Sequence, residues 1–380
     1  GLLIEPIRTN VIYPSSDWSS ANWTHENNNT SQERNTTDTE DPAGTFNATK
    51  ITPEQGVSTL RSIYWGTTIT FTNAVKFTMS AFAKSTTGLH VQLRPRGQGS
   101  NKAWATFNLT TGVVGNSGGT VLVSTKIEKY PNDWYRCSLT FTGGGSTGGG
   151  FGALIMDDGN DGEAATHTGD ASKSIFFWGA QFETGSFATS YIPTSSAAVT
   201  RGADLLRIMD DEFKDIFGDE FKEFTIVADY DNSDTVDGTI QALVDFWGES
   251  TGYTDRIEIF KDGDSPYNIE VRGIANNAGL FANGVANASS KAATQRFATS
   301  WSVDYSTTNA ANRRWAFSFS GEAVDVIGDA VGTSIPALTR LGLGNTPTRL
   351  DLSPGKLHFK RFTFYPKAVS DQQLINLSTP

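Results

Sequence analysis

Apolar and polar residues alternate with period two through much of this chain, the signature of strands that bury one face. The run Lys76-Phe77-Thr78-Met79-Ser80-Ala81-Phe82-Ala83-Lys84 is the clearest case, and Thr68-Ile69-Thr70-Phe71-Thr72 precedes it. Further strands are predicted at 91–94, 103–109, 121–127, 134–142, 151–156 and 174–183. Residues 11–60 are polar and weakly periodic, and predict short strands joined by long loops. The Gly143–Gly150 run predicts a hairpin tip. After it the alternation resumes, and a second series follows at 224–230, 241–246, 256–260, 267–271, 295–303, 314–319, 340–343 and 356–365. Helical spacing is almost absent. The exceptions are Phe213, Ile216 and Phe217, at i, i+3 and i+4, and a final turn after Ser370, a good N-cap residue that would let Leu374 and Leu377 fold back on a sheet.

Composition supports an all-β chain. It has 38 Gly, 24 Phe and 9 Trp against 3 Met, which suits pleated surfaces joined by tight turns. At 380 residues the chain is long enough for two cores. The charged stretch Asp210–Lys222 interrupts the strand pattern and places the boundary. The expected organisation is a first sandwich over residues 1–203, a linker or short helix over 204–222, and a second sandwich over 223–380.

Charge and cysteine content narrow the function. The formal net charge of -11 leaves no cationic footprint for a nucleic-acid duplex. It also disfavours strongly anionic glycans unless a local basic patch or bound metal intervenes. The single cysteine, Cys137, excludes an intrachain disulfide and reads as a small buried hydrophobe. No apolar run is long enough to insert into a membrane, and Gly1-Leu2-Leu3-Ile4 lacks the basic start and long apolar core of a signal peptide.

Three literal strings carry a resemblance. Gly1-Leu2-Leu3-Ile4-Glu5-Pro6-Ile7-Arg8-Thr9-Asn10 opens the chain, and Trp134-Tyr135-Arg136-Cys137-Ser138-Leu139-Thr140-Phe141 follows. The last is Trp178-Gly179-Ala180-Gln181-Phe182-Glu183, running through Gly185 to Thr189-Ser190-Tyr191-Ile192-Pro193-Thr194. Together they resemble a module of bacteriophage tail-fibre and other virion surface proteins, over roughly residues 1–200. The resemblance implies a carbohydrate-binding-module-like jelly roll on the outside of a virion. Its implied partners are a host cell-surface glycan and other tail proteins, and its implied assembly is a homotrimer. The second half is similar in pattern to concanavalin A-like lectins and glucanases, laminin-G-like domains among them, through its last strand and the turn of helix after Ser370.

Candidate chemistry follows from these expectations. Sugar recognition needs aromatic faces and side chains that bond hydroxyls. Trp65 and Trp104 are the aromatic candidates of the first half, with Trp247 and Tyr253 on an expected loop of the second. Arg94 and Arg96, in Leu93-Arg94-Pro95-Arg96-Gly97, form the compact basic pair of the first half, either as a ligand site or as a solvated loop. Asp157, Asn160, Asp161 and Glu163 set oxygen ligands along one turn, which suits a structural Ca2+ or an ordinary acidic turn between strands. No cofactor is required. A glucanase on the lectin-like fold places its carboxylates as Glu-x-Asp-x-x-Glu on one strand. That motif is absent, and Glu258, between Ile257 and Ile259, reads as the outward residue of an ordinary strand. The expected function is non-catalytic glycan binding. The alternatives are a polysaccharide depolymerase and a structural decoration protein.

Overall fold

The computed structural model describes residues 2–26, 29–100, 102–204, 206–218, 223–231, 241–248, 255–261, 268–275, 278–287, 295–303, 313–328, 338–344 and 357–380. The chain divides into two compact units. One is Ile7–Arg201, and the other joins Gly1–Pro6 to Gly202–Pro380. Each is a sandwich of two six-stranded antiparallel sheets, so the chain is all-β with two sandwiches, as its alternation predicts. Among the described residues, no helix is long and apolar enough to cross a membrane.

In the first unit one sheet runs in the order Val113–Gly118, Trp104–Asn108, His90–Arg96, Ser146–Met156, Ser62–Phe71, Trp23–His25. The other runs Leu122–Lys129, Tyr135–Thr142, Lys76–Lys84, Ile175–Thr184, Thr49–Pro53, Thr30–Arg34. Inward residues of both sheets, such as Val91, Leu93 and Phe107 from the first and Met79, Leu139 and Phe177 from the second, make one core. Trp18 sits within it, stacked between Trp23 at 4.2 Å and Phe177 at 4.4 Å, and each such ring contributes about 2–3 kcal/mol through burial. Gly143–Gly145 does not tip a hairpin. The flanking strands Tyr135–Thr142 and Ser146–Met156 lie in different sheets, so the turn carries the chain across the sandwich, in jelly-roll fashion. Gly149 then lies against Phe71, where a Cβ would sit 2.2 Å from the ring.

The three literal strings turn out to be folding apparatus. Buried Asn10 donates from Nδ2 to the carbonyls of Ala180 (3.0 Å) and Ile192 (2.9 Å), and its Oδ1 accepts from the amides of Ile12 and Phe182, both at 3.1 Å. Gln181 accepts from Ile192 N at 2.7 Å, and Glu183 accepts from the amide and hydroxyl of Thr189. Trp134, Phe176 and Trp178 form a small cluster with Phe82 on the outer face of the second sheet. The 39–41 loop closes over it, with Trp134 Nε1 donating to Glu40 O at 2.8 Å and Lys84 Nζ to Thr39 Oγ1 at 2.9 Å. Burial pushes the Tyr191 phenol up to about 12 beside this cluster. Asn10, Gln181 and Glu183 thus spend their side chains on tying the strings together, and the 39–41 loop closes the outer face over Trp134.

The second unit departs from the expected boundaries at both ends of its segment. Leu2–Ile4 is an edge strand of this unit, paired to Leu357–Tyr365, with Ile4 in its core. Pairing to the last long strand overrides sequence proximity. Within 204–222, expected as a linker or short helix, the helix forms at Asp210–Phe217, and the described residues belong to the second unit. Leu206–Met209 pairs with Arg340–Leu343, and helix Asp210–Phe217 buries Phe213 and Phe217 while Ile216 stays exposed. The C-terminal turn forms as its sequence predicts. Ser370 caps helix Asp371–Ser378 in a reciprocal box with Gln373, and Leu374 is fully buried.

Candidate functional site

Alternation along His90–Arg96 decides what the first sheet shows to solvent. Val91 and Leu93 are core, so Gln92, Arg94 and Arg96 point to the outer face. Cross-strand register extends that face into a row: Thr24 opposes Tyr64, Tyr64 opposes Gly152, and Gly152 opposes Arg94. Trp104 continues it on the next strand, one residue from the Ala105–Leu93 pair, and opposes Gly118. Two glycines shape the row. A Cβ on Gly152 would lie 2.9 Å from Arg94 O and 3.3 Å from Arg96 Cγ, so its absence leaves room for both arginine stems. A Cβ on Gly118 would lie 3.3 Å from Trp104 Cζ2, so the indole lies flat across that strand.

Beside the row is a pocket of about 250 Å3, lined by Arg94, Arg96, Gln98, Lys102 and Glu163 with the Gly97 and Gly99 turn. Its size falls just below the usual range of small-molecule sites and leaves room for one small ring. Glu163 accepts from Lys102 Nζ at 2.8 Å and pairs loosely with Arg94 Nη1 at 3.5 Å. Arg96 lies 3.6 Å over the Tyr64 ring and reaches Glu26 at 3.3 Å. Burial pulls the Arg94 guanidinium below its ordinary range, with Glu163 opposing that effect. It remains cationic at neutral pH.

Glu163 comes from a loop far away in sequence, and Gln92 holds that loop in place. Fully buried, Gln92 donates to Gly162 O at 3.1 Å and accepts from Ala164 N at 2.9 Å, on either side of Glu163. It also donates to Thr106 Oγ1 at 2.9 Å, tying the loop to the next strand. Asn116 N, bonded to Gly159 O at 2.7 Å, fixes the far end. The pocket wall is therefore preset.

Several sequence candidates move. Arg94 and Arg96 are on a strand, not a solvated loop, and face one pocket with Glu163. Trp104 is half-buried beside them. Trp65 is core, 6% exposed, with Nε1 donating to Tyr13 O at 2.7 Å. It lies one residue out of phase, and the outward aromatic of that strand is Tyr64. Trp247 ends the strand Gln241–Trp247 and is 3% exposed, so it is no loop platform. Tyr253 lies outside the described residues. The expected Ca2+ set is dispersed: Asp157 and Asp161 face His167, the Asn160 carbonyl accepts from Asn116, and Glu163 is held by Lys102 and Arg94. Among the described residues no group of three or more His, Cys, Asp or Glu side chains could hold a metal ion. Glu258 faces away from the core, as predicted, but is 1% exposed rather than solvated. It opposes Asp245 and Arg272 in register, and lies 3.4 Å from Arg256 Nε and 3.9 Å from Arg272 Nη1. Tyr64, Gln98, Lys102, Glu163 as a pocket residue and the positioning residue Gln92 are the additions of the structure. The alternation of 91–96 signals Gln92, whereas nothing local ties Glu163 to Arg94.

No family model matches the chain, and no curated protein does. Among solved structures, the chain is similar to the Ruminococcus gnavus IT-sialidase CBM40 at 15% identity and a TM-score of 0.32, over 42% of this chain and 84% of that one. A Trypanosoma rangeli sialidase in complex with sialic acid aligns at 10% identity and 0.31, over 87% and 60%. Domains LG4-5 of the mouse laminin alpha1 chain align at 11% identity and 0.26, over 88% and 96%. The two-sandwich architecture rests on the chain's own sheets.

Proposed function

We propose that this chain is a non-catalytic glycan-binding protein whose binding site is the outer-face pocket of the first sandwich. The observation that carries the reading is one preset surface where two guanidiniums, an ammonium and a carboxylate meet around an open, sugar-sized pocket, with the Trp104 indole on the neighbouring strand. A pyranose offers an apolar face for Trp104, and its hydroxyls both donate and accept, which matches donors and acceptors set side by side. The literal strings of residues 1–10, 134–141 and 178–194 support the finer reading: adhesion to a host-surface polysaccharide by a phage tail fibre or similar virion protein, with tail proteins or further copies, as in a trimer, for assembly partners.

Binding, rather than cleavage, is the activity the residues favour. Asp245 and Glu258 are opposed carboxylates, but both are 1% exposed, and Glu258 has arginines on two sides. Substrate would have to displace that packing to reach them. The test is a glycan array on the full chain, with a reducing-sugar assay on the same preparation. Retention on defined glycans is expected, lost in Arg94→Ala and weakened by about 1 kcal/mol or more in Trp104→Ala, with no oligosaccharide released. Retention indifferent to both substitutions, or release abolished in Glu258→Gln, would overturn the reading.

A further inference from the structure

We infer that the pocket selects a sugar bearing a carboxylate over its neutral counterpart, with Arg94 and Lys102 receiving the carboxylate. This rests on the glycan-binding reading and adds the class of ligand.

The charge balance comes first. In a chain of net charge -11, the side chains lining or paired at this pocket set three cations, Arg94, Arg96 and Lys102, against two carboxylates, Glu26 and Glu163, while Asp157, Asp158 and Asp161 lie farther along the same loop, beside His90. The surplus is local and cationic, which is what an anionic ligand needs to approach an acidic protein.

The balance of donors and acceptors points the same way. Among the residues lining the pocket, two buried nitrogens have no hydrogen-bond acceptor among the described residues, Arg94 Nε and Gln98 Nε2. Gln98 is 6% exposed, and its Oε1 is already used by Gly144 N at 3.3 Å. What the site lacks is acceptor oxygen. A hydroxyl brings a further donor with each acceptor, whereas a carboxylate brings two oxygens that only accept.

The cations are not equally available. Arg96 is committed to the Tyr64 ring and Glu26. Arg94 has, among the described residues, a single ion pair, the 3.5 Å contact with Glu163, and a guanidinium presents a fork that fits a carboxylate bidentately. Lys102 is 55% exposed and can turn toward a ligand while Glu163 stays where Gln92 holds its loop. Glu163 then accepts from a sugar hydroxyl, and the Trp104 face lies one strand from Arg94.

Two sources share this chemistry, the uronic acids and the sialic acids. The experiment is calorimetric titration of the full chain with tri-galacturonate and with sialyllactose, each against its neutral counterpart, galactotriose and lactose. One acidic ligand is expected to bind about tenfold or more tighter than its neutral partner, equivalent to about 1.4 kcal/mol. That margin should shrink as salt rises from about 50 to about 500 mM. Arg94→Gln should bring the acidic ligand down to the neutral level, and Arg94→Lys should keep part of the margin. Lys102→Gln, at an exposed position, provides the same test with little risk to folding. Neutral binding equal to acidic binding, or a margin untouched by Arg94→Gln and Lys102→Gln, overturns the inference and leaves the glycan site standing. An array on which no glycan of either kind is retained overturns both.

Discussion

Both sandwiches put charged residues on the outer face of a six-stranded sheet, yet the two faces have opposite characters. In the first, Arg94, Lys102 and Glu163 are 21%, 55% and 24% exposed around an open pocket. In the second, Asp245 and Glu258 are 1% exposed, and Arg272 lies across the register from Glu258. An ion pair at an open edge is weakly held and can be exchanged for a ligand, whereas a buried one has given up its water and holds the fold. Burial therefore separates a candidate binding surface from a structural one where residue type does not.

The comparison breaks most sharply at its two glutamates. Glu258→Ala leaves Arg256 and Arg272 facing an uncompensated site and is expected to cost about 3 kcal/mol of stability, read by denaturant unfolding. Glu163→Gln, among half-exposed partners, should stay within about 1 kcal/mol of wild type and change binding instead. Equal losses from the two would erase the distinction.

Asn10 makes the corresponding point about the literal strings. Asn10→Ala removes four hydrogen bonds from a fully buried position and leaves two amides and two carbonyls without their partner. The expected cost is about 3 kcal/mol, with glycan affinity unchanged in the fraction that remains folded. Loss of affinity at unchanged stability would move the site to these strings.

How much of this could be read beforehand follows from what alternation reports. Period two marks a strand and its core face, so Lys76–Lys84, the 134–142 strand and the all-β class were legible. It does not say whether the other face is covered. In Ile175–Thr184 nine successive residues are buried, because the 39–41 loop and neighbouring aromatics close the outer side. Trp247, in phase with outward Asp245 yet 3% exposed, is hidden for the same reason, whereas Trp65 is a matter of phase: it faces the core and its neighbour Tyr64 faces outward. The pairing of Leu2–Ile4 with Leu357–Tyr365, and of Glu163 with Arg94, joins residues whose separation leaves no local trace. Arg94 and Arg96 were identifiable as a pair, but the pocket between them and the 163 loop was not.

A smaller difference lies in acid sensitivity. Burial lowers two of the first unit's three histidines, His25 and His90, below the ordinary value of 6.5, while the second unit's one histidine, His358, is exposed. A histidine lowered on folding binds its proton more readily when unfolded. Stability is therefore unaffected above about 6.5 and falls as pH drops toward the folded value. The melting temperature should decline between pH 7 and 5.5, and His90→Gln should flatten the decline. A curve that rises on acidification, or is unchanged in the variant, would contradict the sign.

Hydrogen–deuterium exchange on the full chain, with and without a glycan retained on the array, tests the central claim most directly. Protection is expected over 90–106 and 157–168, where Arg94, Trp104, Glu163 and the Gln92-held loop lie, with the second unit unchanged. Protection confined to residues 202–380 would place the site on the other sandwich and contradict the account.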